Sequence, residues 1–390
     1  MMLSTAHGFM PYPPVPVPCA ATGPLSGLRF GVKDLFHVAG YPTSGGQPLL
    51  LALSGIQTRT APTVQRLLDA GAALAGKTIT DELAFSMNGQ NAHFGAPLNG
   101  AAPDRITGGS SCGSASAVSH ATVDFAVGTD TGGSVRAPAS HCGLVGLRPS
   151  HGRVSLQDTL DLAPSFDTCG WFARDIAVFA RVADILLGAD AKPLPPQVRL
   201  LWPHELWALA TPEALAALDG PAQRLQAQWG QAQPVDVVLD SLDTMYWAFR
   251  YLQGREAWMT DGDFIERHRP VLGPGVAERF AWSRQVSDAQ VAEATAFRRR
   301  FSAHLLALLG DDGVMVLPTM PDIAPLRSEG EAGLEDYRNR AIRLLCASGL
   351  AGCPQLTLPL AQRNGAPLGV SLLAAPGRDR SLVALAERLA

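Results

Sequence analysis

Lysine is nearly missing from this chain. Three lysines, Lys33, Lys77 and Lys192, stand among 31 basic residues, and the rest are arginine. Charge of either sign is sparse, at 17% of residues, and the formal net charge is −4. No long basic run is present, so nucleic acid is not an expected partner. Cysteine is scarce as well. Cys19, Cys112, Cys142, Cys169, Cys346 and Cys353 are scattered and form no C-x-x-C pair. That argues against a disulfide scaffold and for reduced thiols in a cytoplasmic setting. The histidines show no metal-ligand spacing, so no metal is expected, and no cofactor is expected either. No apolar run reaches the length of a membrane span, and no membrane partner is expected. The opening "MMLSTAHGFMPYPPVPVPCAA" lacks a basic start and is broken by prolines, so it does not read as a signal peptide.

What is abundant is apolar. Hydrophobic residues make up 47% of 390, enough for a large buried core. Strand-like and helix-like stretches alternate, which predicts an α/β architecture. Residues 1–27 read as a proline-rich surface segment. A strand is expected within 28–38, and a helix over 60–78 with a strand after it. A small-residue helix from 115 leads into the strand "VDFAVG". A helix is expected over 170–188, a strand at "VRLLW" and a helix over 211–230. Residues 240–310 read as mostly helical. Buried strands follow at 313–319, 354–360 and 368–375, and an amphipathic helix closes the chain.

Three motifs carry the chemistry. The first is "GTDTGGSVRAPAS" (128–140), in which two glycines run into Ser134. Glycine lets a substrate approach the backbone closely, and its N–H can face a developing oxyanion. The bland alternative is a Gly-Gly turn before a surface serine. The second motif, "DRITGGSSCGSASA" (104–117), places Ser110 and Ser111 after another Gly-Gly pair. It lacks the Gly-Lys-Ser/Thr ending of a phosphate-binding loop. The third is Lys33 in "FGVKDLF", either a snorkelling edge residue or a buried base. Lysine can be neutralised inside a protein where arginine cannot. Asp34 beside it should face the opposite side of the strand.

Together, "GVKD", "GGSSCGSASA" and "GTDTGGSVRAPASHCGLVGLRPS", with 24 residues from Ser110 to Ser134, resemble the amidase signature family. The likeness runs over about 28–185, including "GKTITDELAFS", and returns in "VLPTMP", "PQLTLPL" and "PLGVSLLAA". "MNGQNAHFG" and "SFDTCGWFARD" look closest to plant-type indole-3-acetamide hydrolases and their bacterial relatives. The resemblance implies one large domain, a central mixed β-sheet covered by helices on both faces. Within 28–390, residues 28–188 would form the signature core. Residues 189–310 would be a variable helical segment on the substrate side, and 311–390 a return to the sheet.

The resemblance also implies an amidohydrolase with a small-molecule amide substrate, an acyl-enzyme intermediate and a proton relay. Ser134 would be the nucleophile, Ser110 the bridging serine after a cis peptide at Gly109, and Lys33 the neutral base. The N–H groups of Thr131, Gly132, Gly133 and Ser134 would form the oxyanion hole. Ser111, Asp130 and Arg136 would support the loops, with substrate contact an alternative for Arg136. Phe85, Met87 and Trp171 are candidates for the pocket wall, for an aryl-acetamide such as indole-3-acetamide. Two rivals stand beside this reading: the glutaminase-type A subunit of a tRNA-dependent amidotransferase, and a non-catalytic binding protein on an amidase fold. A homodimer is left open.

Overall fold

A computed structural model describes residues 4–389. Among these residues ten strands form one sheet: β1 (Arg29–Lys33), β2 (Ala73–Thr78), β3 (Phe125–Thr129), β4 (Val145–Arg148), β5 (Cys169–Ala173), β6 (Arg199–Pro203), β7 (Gln233–Val235), β8 (Gly313–Pro318), β9 (Gln355–Arg363) and β10 (Ala366–Leu373). Their order is β2-β1-β3-β5-β4-β9-β10-β8-β6-β7. The flanks pair in parallel, β1 with β2 and β3, and β6 with β7 and β8. The centre pairs antiparallel through β5, β4, β9 and β10. The sheet is therefore mixed, as expected.

The helices are α1 (Pro48–Ser54), α2 (Pro62–Asp69), α3 (Cys112–Ser119), α4 (Arg136–His141), α5 (Ile176–Leu186) and α6 (His204–Trp207). They continue with α7 (Pro212–Trp229), α8 (Leu242–His268), α9 (Val276–Ser283), α10 (Asp288–Leu309), α11 (Glu331–Ala351) and α12 (Asp379–Glu387). Side chains alternate across the sheet and divide the core. Phe30, Val32, Val127 and Trp171 face α2, α5, α7 and α12. Ala126 and Phe172 face α3 and α4, while Met315 and Leu317 face α8, α10 and α11. Lys33 has the parity of Gly31, opposite to Phe30 and Val32, so it points toward α3. No described helix is long and apolar enough to cross a membrane.

Several elements fall differently from the sequence reading. The helix expected over 60–78 stops at Asp69. Gly71 takes φ +92°, and Ala73–Thr78 is already β2. The stretch 170–188 is not one helix. Its first part is β5, and Asp175 caps α5 by accepting from the Val178 N–H at 2.8 Å. Residues 1–27 are not all surface, because Phe9, Met10 and Leu25 are buried and the Met10 N–H donates to the Lys77 carbonyl. Helix α11 was not foreseen.

Helix α3 explains the Gly/Ser/Ala composition of its motif. Residues Cys112–Val118 are all buried. A Cβ on Gly113 would lie 2.3 Å from the Gly8 carbonyl oxygen and 2.4 Å from the Ile79 nitrogen. Ser114 donates to the Val127 carbonyl at 2.9 Å, and Ser116 to that of Leu98 at 2.7 Å. Small side chains let the helix lie against its neighbours, and their hydroxyls find backbone acceptors once buried.

Candidate active site

Lys33 ends β1 with no exposed surface. Its Nζ lies 2.7 Å from Ser110 Oγ and 2.8 Å from Thr129 Oγ1. No carboxylate lies within ion-pair distance of it among the described residues. Burial pushes its pKa down to about 8, against the opposing pull of Asp81.

Ser110 follows a cis peptide bond at Gly109. A Cβ on Gly109 would lie 2.2 Å from Asp81 Oδ2, so only glycine fits there. Asp81 accepts from the Gly89 N–H at 3.0 Å, and its own N–H donates to the Ser110 carbonyl at 3.0 Å. Burial raises the pKa of its carboxyl. The next residue, Ser111, joins the two Gly-Gly loops. Its N–H donates to the Ser134 carbonyl at 3.3 Å, and its hydroxyl donates to the Thr129 carbonyl at 3.1 Å.

The second loop is built on Asp130, the residue after β3. Oδ1 accepts from the Gly133 N–H at 2.8 Å, from Arg136 Nη2 at 2.8 Å and from Arg148 Nη1 at 3.1 Å. Oδ2 accepts from the N–H groups of Val135 and Arg136 and from Arg136 Nε. Burial alone would raise the carboxyl's pKa. The two guanidiniums outweigh it and hold the group well below the usual carboxylate range. The remaining Arg136 donor, Nη1, reaches the Leu345 carbonyl, Ser348 Oγ and Gln355 Oε1. Every nitrogen of the Arg136 guanidinium thus has a partner in the scaffold. Arg148, in "GLRPS", belongs to the same scaffold, and the sequence reading passed over it.

Ser134 sits between this scaffold and α4. Its hydroxyl has no hydrogen-bond partner among the described residues. The Gly133 N–H, expected in an oxyanion hole, is already taken by Asp130. The N–H groups of Thr131, Gly132 and Ser134 have no acceptor among the described residues, although all three residues are buried. Gly133 takes φ +132°, and a Cβ there would lie 2.4 Å from Leu345 Cδ1.

Phe85, Met87, Phe249, Gln253, Arg338 and Ile342 surround Ser134. The free space is about 10 Å³, room for one water. A cleft of about 340 Å³ adjoins it, sharing Ser86 and passing Arg279 and Glu335. Of the three pocket-wall candidates, Phe85 and Met87 border the space beside Ser134. Trp171 does not: it lies on the opposite face of the sheet, stacked on Phe179 at 5.0 Å, because strand alternation turns it away and gives Phe172 the near face. Phe249 and Gln253 lie in the helical 240–310 region, where no periodicity separated pocket from core. Arg338 and Ile342 lie on the unforeseen α11. The one cluster with metal-ligand proximity among the described residues is His204, Glu205 and Asp236, by β6 and β7, away from Ser134.

The Amidase family model matches residues 18–211. Amidase 1 of Arabidopsis thaliana is 38% identical over 94% of this chain and 93% of its own length. Amidase 1 of Oryza sativa subsp. japonica is 37% identical over 96% and 92%. The chain belongs to the amidase signature family. A solved amidase superposes on it with a TM-score of 0.84 at 32% identity, over 94% of this chain and 85% of the other. This amidase is accordingly an amide-hydrolysing enzyme on a single α/β domain.

Proposed function

We propose that the enzyme hydrolyses a small carboxylic amide through an acyl-enzyme on Ser134, with Ser110 and Lys33 as its proton relay. The observation that carries this reading is the buried contact of 2.7 Å between Lys33 Nζ and Ser110 Oγ, one residue from the Ser111–Ser134 backbone link. When a substrate enters, the free Ser134 hydroxyl turns toward Ser110. Ser134 Oγ attacks the carbonyl carbon. Its proton passes to Ser110 as the proton of Ser110 passes to the neutral amine of Lys33, which still donates to Thr129. The carbonyl oxygen becomes an oxyanion facing the N–H groups of Thr131, Gly132 and Ser134. As the C–N bond breaks, the proton returns through Ser110 to the leaving nitrogen. Water then attacks the acyl-enzyme along the same path and releases the acid. Phe85, Met87 and Phe249 are apolar walls for the acyl arm of an aryl-acetamide such as indole-3-acetamide, once they part to widen the space of about 10 Å³ beside Ser134.

A fluorophosphonate probe tests the nucleophile. Labelling of the wild-type chain that vanishes in Ser134→Ala is expected. Label that persists in Ser134→Ala would place the nucleophile elsewhere. A wild-type chain that takes no label and releases no ammonia from any amide would be a binding protein on this fold.

A further inference from the structure

Beside the Ser134 pocket, three guanidiniums come together from three helices: Arg250 of α8, Arg279 of α9 and Arg338 of α11. One carboxylate, Glu335, is bonded to Arg338 Nη1 at 3.0 Å, and the exposed carboxylates of Glu278 and Glu331 stand at the cleft beyond it. Arg250 and Arg338 are 7% and 3% exposed. Yet Arg250 Nε and Nη1 and Arg338 Nε have no hydrogen-bond partner among the described residues. The Arg250 guanidinium stacks over Trp282, 4.9 Å from the ring centroid. Stacking satisfies its face and leaves its in-plane donors unmet. Arg279 is anchored by Nε to the Phe85 carbonyl at 2.6 Å.

Buried, unpaired donors of like charge are costly. Burial and the neighbouring Arg338 push the pKa of Arg250 down to about 10 and that of Arg279 down to about 9. An anion among these three groups would relieve both the repulsion and the unmet donors. Planar guanidinium forks match a carboxylate in particular. The place is suited to a substrate. Arg338 borders the same space as Ser134, and Arg250 and Arg279 line a cleft of about 460 Å³ leading outward, with Glu278, Glu331 and Glu335 on its walls and the unmet donors at its buried end.

We infer that this cluster binds a carboxylate at the far end of the substrate's acyl arm, so the enzyme prefers amides that carry a second, ionised carboxyl group. The inference rests on the hydrolase reading and narrows it. Phe85 and Met87 touch the arm near the scissile carbonyl, and Arg338 and Arg250 hold its anionic end. A neutral aryl-acetamide would fill the apolar part and leave the guanidiniums unmet.

Hydrolysis of succinamate, glutaramate and adipamate is compared with that of the chain-matched neutral amides and of indole-3-acetamide. For the best carboxylate-bearing amide, kcat/KM should exceed that of its neutral match by roughly tenfold or more. The advantage should sit mainly in KM and shrink at high salt. Arg338→Met and Arg250→Met should each erase most of the ratio, with Arg338→Lys retaining part of it. Equal or better turnover of the neutral amides by the wild-type enzyme overturns the inference, and that comparison needs no variant to fold. Binding is read separately in Ser134→Ala, by quenching of tryptophan fluorescence on titration with glutaramate. Saturable binding that Arg338→Met weakens supports the clamp even if no amide is turned over. Absence of binding in a folded Ser134→Ala chain sinks the clamp and leaves the nucleophile test untouched.

Discussion

Lys77 and Asp34 form a fully buried ion pair with 2.8 Å between Nζ and Oδ1. Lys33, also buried, precedes Asp34 in sequence and has two hydroxyls for company instead of a carboxylate. The two lysines therefore differ in what happens when the proton leaves. Deprotonating Lys77 strands the Asp34 charge. Deprotonating Lys33 strands nothing, and its lone pair then faces Ser110.

A pH dependence follows for the proposed relay. Below about 8, Lys33 holds its proton and cannot accept another. Because burial lowers this pKa, the active form gains as pH rises. kcat/KM should climb about tenfold per pH unit below that point and level off above it. Lys33→Arg should be inactive, since guanidinium keeps its proton throughout. A profile flat across neutral pH, with chemistry limiting, would rule out Lys33 as the base.

Asp34→Asn should lower stability by about 3–5 kcal/mol, because it leaves the Lys77 charge buried and unpaired. Replacing both partners together with apolar residues of similar size should restore much of the loss. Urea unfolding of the two variants measures the difference. Equal stability of Asp34→Asn and wild type would show that Lys77 is neutral in the folded chain.

Gly133→Ala should cut kcat by about 100-fold or more. The new Cβ meets Leu345, and the positive φ disfavours any side chain, so the turn that presents Ser134 must shift. Fluorophosphonate labelling rates read this directly. A variant labelled as fast as wild type would mean that the turn can adjust freely.

Trp171→Phe should leave KM for any amide unchanged while lowering stability by about 1–3 kcal/mol. Trp171 packs on Phe179, across the sheet from Ser134. A large KM change with stability unaltered would return this residue to the pocket.

The parts of the site that were legible are those in which composition has one local cause. Gly109 and Gly133 are small because Asp81 and Leu345 lie against them, and that need shows in sequence as Gly-Gly before serine. Lys33 stood out because lysine is otherwise so scarce. The strand VRLLW and the helix over 211–230 carried clear periodicity. The residues that were not legible depend on long-range packing. Arg148 is an ordinary arginine until β4 brings it to Asp130. Arg250 and Arg338 lie 88 positions apart by number and meet only because α8 packs on α11. Trp171 went astray because β5 was read as the start of α5, which removed the alternation that fixes its side.

Arg136 donates to Ser348 and Gln355, more than two hundred positions downstream. During synthesis, all three proposed relay residues leave the ribosome long before these acceptors do. Until α11 and β9 have been translated and docked, Arg136 lacks those acceptors and the Ser134 turn its far support. The nascent chain would thus stay unable to cut amides until its last third has emerged.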